Sequence, residues 1–332
     1  MELIERKLQV DKIAFLYEQL GYDSYANRMR QCARFARFVE KTFWVPEYDD
    51  YDQDQLTDVY ESEPQYLLND AIFCRVRLCP ICQWRKSKRW QALALKNLPS
   101  IQEQHSGYRW LFLTLTIKNC KLSRLRGKVS QLNKSFLKWV KWKSFPADGW
   151  IKSLEVTLDE SDPTLCHPHF HILLMVPGDY FNNKEQYLTQ PDWVYAWRKA
   201  AKLSYDPVVD IRAVRQGKEE QIIPELLKYG VKPDDLAGVS SQQLKLLTNQ
   251  LHGIHAINKG GLLRSCFKNV GSDNVDLIGS GYEGVPTGYQ LYFVWQQSHK
   301  SYIENLYKDK ELVGSLIIDQ DVLNSDHELF YT

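Results

Sequence analysis

Three histidines at alternate positions, His167, His169 and His171, open the run HPHFHILLMV, and the residues that follow are apolar. Alternate residues of a strand project to one face. The spacing therefore predicts a strand that carries three imidazoles on one side and packs Phe170, Ile172 and Leu174 on the other. Imidazole is a frequent metal ligand, and two of them two residues apart on a strand can share one cation. The rival reading is a group of ordinary histidines on an edge strand. The turn-rich stretch DESDPTLC (159–166) precedes this strand, and the strand-forming run Trp150–Leu158 precedes the turn. A hairpin centred near Asp162 pairs Glu155 with about His169, which brings a carboxylate to the imidazoles. Two histidines and one carboxylate, with positions left for phosphate and water, suit a divalent ion such as Mg²⁺ or Mn²⁺. Glu155 and His167 both remain candidates for the third ligand.

The chain has 332 residues, 44% of them hydrophobic, enough for two domains or for one with extensions. Its net charge of +1 hides an uneven distribution. Nine basic residues and no acidic one fall between Lys118 and Lys143, and six more basic residues fall between Arg75 and Arg89, while Glu47–Glu63 is acidic and broken by tyrosines. Basic blocks in a neutral total fit a local nucleic-acid footprint. Aromatics reach 13%, a supply of both core and base-stacking surfaces. Met1–Val10 is too charged for a signal peptide, and no apolar run is long enough to span a membrane, so the expected location is cytoplasmic. Seven cysteines, an odd count, point to a reducing compartment and to thiols or metal ligands rather than disulfides. No phosphate-binding Gly-x4-Gly-Lys-Ser/Thr occurs, so ATP use is not expected.

Along the chain, residues 8–40 read as helical with a break at Gly21, 46–65 as an acidic loop, and 74–98 as a cysteine cluster followed by a helix. Trp110–Ile117 reads as a buried strand, and 122–143 as a basic amphipathic helix with Leu125, Val129, Leu132, Phe136 and Val140 as its apolar stripe. Helices around 184–202, a strand at 207–214, a helix to about Tyr229 stopped by Gly230, more helix after 236, a Gly-rich stretch and a tail complete the reading. The fold class is α+β, a central antiparallel sheet packed with helices. The expected division is a helical N-terminal region with the cysteine site (1–105), a core (106–235) and a C-terminal extension (236–332).

Two further groups carry chemistry. Glu225 and Tyr229, four apart on the expected helix, share a face. A tyrosine hydroxyl can attack a polarised phosphodiester and a nearby carboxylate can act as a base, with Lys228 and Lys232 flanking to neutralise phosphate. Cys74, Cys79 and Cys82 in CRVRLCPIC have the spacing of a structural Zn²⁺ site, for which Cys32, His252 and His255 are candidate fourth ligands. A redox pair at Cys79 and Cys82 is the alternative.

In order, FCRVRLCPICQWRKSKRW (73–90), FLTLTIKN (112–119), WIKSLEVT (150–157), HPHFHILLMV (167–176), DWVYAWRKA (192–200), VVDIRAV (208–214) and PELLKYGVK (224–232) resemble the rolling-circle replication initiators of small Gram-positive plasmids, in the HUH endonuclease superfamily. The resemblance covers about residues 30–235. It implies an HUH nuclease, RRM-like core, a small antiparallel sheet with helices on one face. It implies His169 and His171 as metal ligands, Tyr229 as nucleophile and Glu225 as the residue that supports the terminating hydrolysis. It also favours Cys32 as the fourth zinc ligand. The implied activity is metal-dependent nicking of a single-stranded loop in the plasmid double-strand origin, through a 5′-phosphotyrosine link that leaves a 3′-OH primer. Host helicase and polymerase are the implied partners. A transposase of the same superfamily and a non-catalytic zinc-dependent DNA-binding regulator are the alternatives.

Overall fold

The computed structural model describes residues 2–41, 65–215, 217–218, 221–228, 230–266 and 290–304. The acidic loop (but for Gln65), Tyr229, most of the Gly-rich stretch and the tail after 304 lie outside the described residues.

Helices α1 (Glu2–Gln19) and α2 (Asp23–Gln31) open the chain, separated at Gly21, whose φ of 74° only glycine adopts without strain. The expected continuation of helix to residue 40 does not occur. Ala33 turns into the left-handed region, and Phe35–Lys41 forms strand β1. Local periodicity fits Phe35 and Phe38 to either structure. Pairing with two remote strands decides it: β1 lies between β2 (Gln65–Ala71) and β9 (Gln290–Gln296), and β10 (Ser301–Glu304) completes this four-stranded sheet.

The second sheet carries the histidines. Its strands are β3 (Arg109–Leu115), β4 (Cys120–Lys121), β5 (Gly149–Leu158), β6 (Leu165–Val176), β7 (Val209–Val214) and β8 (Ile257–Gly261). They run in the order β7-β3-β6-β5-β8, with β4 also paired to β6, and every pairing is antiparallel. The expected hairpin is present in the expected register, Glu155 opposite His169. The fold is thus α+β, a large antiparallel sheet packed with helices.

Helices cover both faces of this sheet rather than one. The strand sequences require it, because WLFLTL in β3 and HILLMV in β6 are apolar on both sides and each side must be buried. On one face Leu111, Leu113, Trp150, Phe170, Ile172 and Leu174 meet helices α4 (Leu125–Trp139), α5 (Gln190–Ala201) and α8 (Ser241–Leu251). On the other, Trp110, Phe112, Ile151, Leu173 and Met175 meet helix α3 (Pro80–Gln104) and the short α6 (Ile223–Leu226). A last short helix, α7 (Pro233–Gly238), follows α6.

The basic amphipathic helix is α4, after a single 3₁₀ turn at Leu122–Arg124. Its expected stripe, Leu125, Val129, Leu132 and Phe136, is buried, and Val140 lies past its end, half-buried. Helix α5 starts at Thr189, which forms a reciprocal capping box with Asp192. It begins later than the sequence suggests because 184–186 form a turn and 187–188 carry no regular structure. Trp139 of α4, fully buried, meets Phe136, Phe145, Trp193 and Trp197 at ring-centroid distances of 5.4–6.5 Å. We predict that Trp139→Ala destabilises the protein by about 3–5 kcal/mol. Urea denaturation followed by fluorescence checks it, and a loss under about 1 kcal/mol would show that this aromatic cluster repacks freely.

Candidate metal centres and nuclease site

Glu155 and His169 are cross-strand partners, and His171 is the next residue of β6 on the same face. Their ligand atoms lie within 4.8 Å of one another, a group able to hold a metal ion. Both imidazoles aim at one carboxylate oxygen: His169 Nε2 is 3.1 Å and His171 Nε2 2.8 Å from Glu155 Oε2. The other ring nitrogens are engaged elsewhere. His171 Nδ1 lies 3.3 Å from the Thr114 hydroxyl, and His169 Nδ1 3.3 Å from the His167 carbonyl oxygen. Partners of this kind fix ring orientation and leave Nε2 for a ligand role. The His171 ring also stacks on Phe112, with centroids 5.7 Å apart.

Glu155 is 1% exposed and its second oxygen, Oε1, is buried without a hydrogen-bond partner. A buried carboxylate oxygen left unsatisfied is costly. A divalent cation held by the Glu155 carboxylate and the two imidazoles would satisfy it, so the donor set fits a metal ion. Burial alone would push the Glu155 carboxyl up, but hydrogen bonds from His169, His171 and the Lys228 ammonium outweigh it and hold it well below the usual range. Burial pushes His171 down, toward the neutral form that binds metal, against the opposing pull of Glu155. His167 stands outside this group. Its ring stacks on His169 at 5.3 Å, opposite Thr157 rather than Glu155. Of the two candidate third ligands, the geometry therefore brings in Glu155.

Lys228 Nζ lies 2.9 Å from Glu155 Oε2. This ion pair was not readable from the sequence, where Lys228 stands out only as a neighbour of Tyr229. It follows from an early helix end. Helix α6 stops at Leu226, and Leu227 leaves helical geometry with φ −111° and ψ 37°. The helix expected to run to about residue 229 therefore ends at Leu226. The chain instead turns so that Lys228 reaches Glu155, Gly230 O accepts from Val156 N at 2.9 Å, and Val231 bridges in parallel to Val156. Tyr229 lies outside the described residues, but its neighbours on both sides are bound to the strand that carries Glu155. Glu225 sits half-buried on α6, on the same side of the sheet as the Glu155 group.

The second group is formed by Cys32, at the end of α2, Cys74, Cys79 and Cys82. The Sγ–Sγ separations are 3.7 Å (Cys32–Cys82), 3.5 Å (Cys74–Cys82) and 3.6 Å (Cys79–Cys32). A disulfide needs about 2.05 Å. Four sulfurs around a tetrahedral zinc at about 2.3 Å lie about 3.8 Å apart. The separations fit tetrahedral ligation of a metal ion, and none of the four cysteines is in a disulfide. His252 and His255 are not in the group; Cys32 is the fourth member. Hydrogen bonds from the other three thiols, Cys32 foremost, pull Cys82 well below the ordinary thiol range, and the Arg75 backbone N–H adds to this. That amide is presented by a strained backbone, with Arg75 at φ 56°. Cations brace the cluster. Buried Lys7 donates to the carbonyls of Arg30 and Cys32, each at 2.8 Å, and Arg28 donates to that of Cys74 at 2.6 Å.

Comparison with known proteins gives the family. The replication-protein family model Rep_1 matches residues 65–303. The chain belongs to that family. It is 30% identical over 309 residues, 90% of both chains, to a Protein rep of Streptococcus pneumoniae serotype 2. It is 32% identical to a Protein rep of Bacillus amyloliquefaciens, covering 71% of this chain and 77% of that one, and 30% identical to a Protein rep of Lentilactobacillus hilgardii, covering 82% and 83%. No solved structure matches it. The family match spans both metal-ligand groups except Cys32. Among the described residues, no helix of this Rep-family chain is long and apolar enough to cross a membrane.

We predict that the protein purified without chelator carries about one tightly held zinc. Cys79→Ser should lose that zinc and lower the melting temperature by several degrees, because such sites contribute folding energy directly. Elemental analysis and a thermal melt check both points. Full stability with no zinc would reassign the four cysteines to plain buried thiols.

Proposed function

We propose that this chain is a plasmid rolling-circle replication initiator, a metal-dependent single-strand DNA endonuclease and strand transferase. The observation that carries the reading is the convergence of Glu155, His169 and His171 on one point of the sheet, with the residue next to Tyr229 joined to the same carboxylate. In this reading residues 106–235 hold the chemistry and the Cys32, Cys74, Cys79 and Cys82 site is structural zinc. A divalent ion, when bound, would polarise the scissile phosphate. Tyr229 Oη attacks phosphorus, the P–O3′ bond breaks, and the products are a 5′-phosphotyrosyl link and a free 3′-OH that primes synthesis. The phosphodiester's energy is kept in the protein link, so a later 3′-OH can re-close the strand. Lys228, released from Glu155, is placed to neutralise phosphate charge. Glu225 serves the terminating step as a base toward water. A host helicase and polymerase would act downstream in the cytoplasm.

The test uses single-stranded oligonucleotides tiled across the DNA molecule that encodes the chain, incubated with the protein and Mn²⁺. A covalent protein–DNA product is expected, linked at Tyr229 by mass spectrometry of the peptide. His169→Ala and His171→Ala should each slow adduct formation at least about 100-fold, the order expected when several kcal/mol of metal assistance is removed. Tyr229→Phe should abolish the adduct while DNA binding persists. Glu225→Gln should still nick but accumulate covalent product. Binding with no covalent product would instead make the chain a DNA-binding regulator. Normal termination by Glu225→Gln would remove Glu225 from the mechanism.

A further inference from the structure

Helix α3 starts inside the cysteine cluster: Cys79 is its N-cap and Cys82 lies in its first turn. Three polar residues follow at four-residue intervals, Gln83, Ser87 and Gln91. That spacing puts them on one face, each step about 6 Å further along the axis. The face is turned toward the backbone that leaves α6. Ser87, 6% exposed, donates its hydroxyl to the Leu227 carbonyl oxygen. Gln91 Nε2 donates to the Ser87 hydroxyl at 2.9 Å and to the Leu227 carbonyl at 3.3 Å. Gln83 Oε1 accepts the Val231 backbone N–H at 3.3 Å. Leu227 caps α6, its own N–H still bonded to the Ile223 carbonyl, and Val231 lies beyond the helix, so the Leu227 carbonyl and the Val231 N–H have no intrahelical partner and are met by these side chains.

We propose that Gln83, Ser87 and Gln91 are positioning residues for the strand-transfer reaction. They hold the backbone on both sides of Tyr229 while β5 holds it from the other side, through Lys228–Glu155 and Val156–Gly230. The inference rests on the reading of Tyr229 as nucleophile. It gives the cysteine cluster a second role: anchoring the first turn of α3 places Gln83, the residue after Cys82, against the segment that carries the attacking group. Attack on phosphorus tolerates little displacement, and a misplacement of about 1 Å can cost about 100-fold in rate.

Gln83 supplies the decisive test, because only its acceptor oxygen is used toward Val231. Gln83→Glu keeps an acceptor there, and Gln83→Leu keeps the bulk and removes it. Zinc-loaded full-length variants are mixed with a cleaved oligonucleotide and Mn²⁺ under single-turnover conditions. The rate constant, the reacting fraction and the half-saturating DNA concentration are read separately. Gln83→Leu is expected to lower the rate constant about 10- to 100-fold, with the reacting fraction, half-saturation and zinc content unchanged. Gln83→Glu is expected to restore most of the rate. Ser87→Thr, which keeps the hydroxyl, should react faster than Ser87→Ala. A wild-type rate constant in Gln83→Leu overturns the proposal. So does a Gln83→Glu as slow as Gln83→Leu, or a loss confined to the reacting fraction, which assigns Gln83 to folding alone. An adduct on a tyrosine other than Tyr229 fails the nucleophile assignment itself and is recognised separately, by the linked peptide.

Discussion

The pairing of β5 with β6 in one particular register underlies the rest of the molecule. Side chains in a strand alternate, so a slip of one residue would send Glu155 to the opposite face from His169 and His171. The same slip would exchange the apolar faces that α3 and α4 cover. Register is therefore held by both cores at once, and the polar group sits at the end of an apolar face formed by Phe112, Ile151 and Leu173. Pro168 in the middle of the motif is compatible with this register. Its partner Val156 turns its N–H outward to Gly230, and the β3 ladder ends at Leu115 opposite Phe170, so neither side requires the donor that proline lacks.

The Glu155 group is assembled from groups that compete for one oxygen. Two imidazoles and an ammonium converge on Oε2 while Oε1 is buried and unpaired. Such an arrangement gives the one buried carboxylate an internal counter-ion, Lys228. The lysine is 33% exposed and so has room to leave. Because it adjoins the proposed nucleophile, the same side chain that balances Glu155 can follow the phosphate charge.

The two ligand groups are physically linked. The cysteines join α2, the 74–82 loop and the first turn of α3, and α3 in turn packs over the face that bears the histidines. The basic run on α4 lies on the opposite face, away from the Glu155 group. Any DNA it meets is reached from the other side of the sheet.

Much of this was legible in the residues. The alternating histidines, the symmetric turn about Asp162 and the Cys-x2-Cys spacing are short-range patterns, and short-range geometry decides them. That is why Glu155 opposite His169 could be read from chain distances alone. What could not be read depends on partners far away in sequence. Residues 35–41 are a strand because β2 and β9 flank them. Helix α6 ends at Leu226, ahead of the contacts that Glu155, Val156 and α3 make with residues 227–231. Helices cover both sheet faces because separate segments, α3 ahead of the sheet and α4, α5, α6 and α8 between its strands, each have an apolar side to bury. Local chemistry chose the candidate ligands; long-range packing decided how the chain on either side of Tyr229 is brought to them.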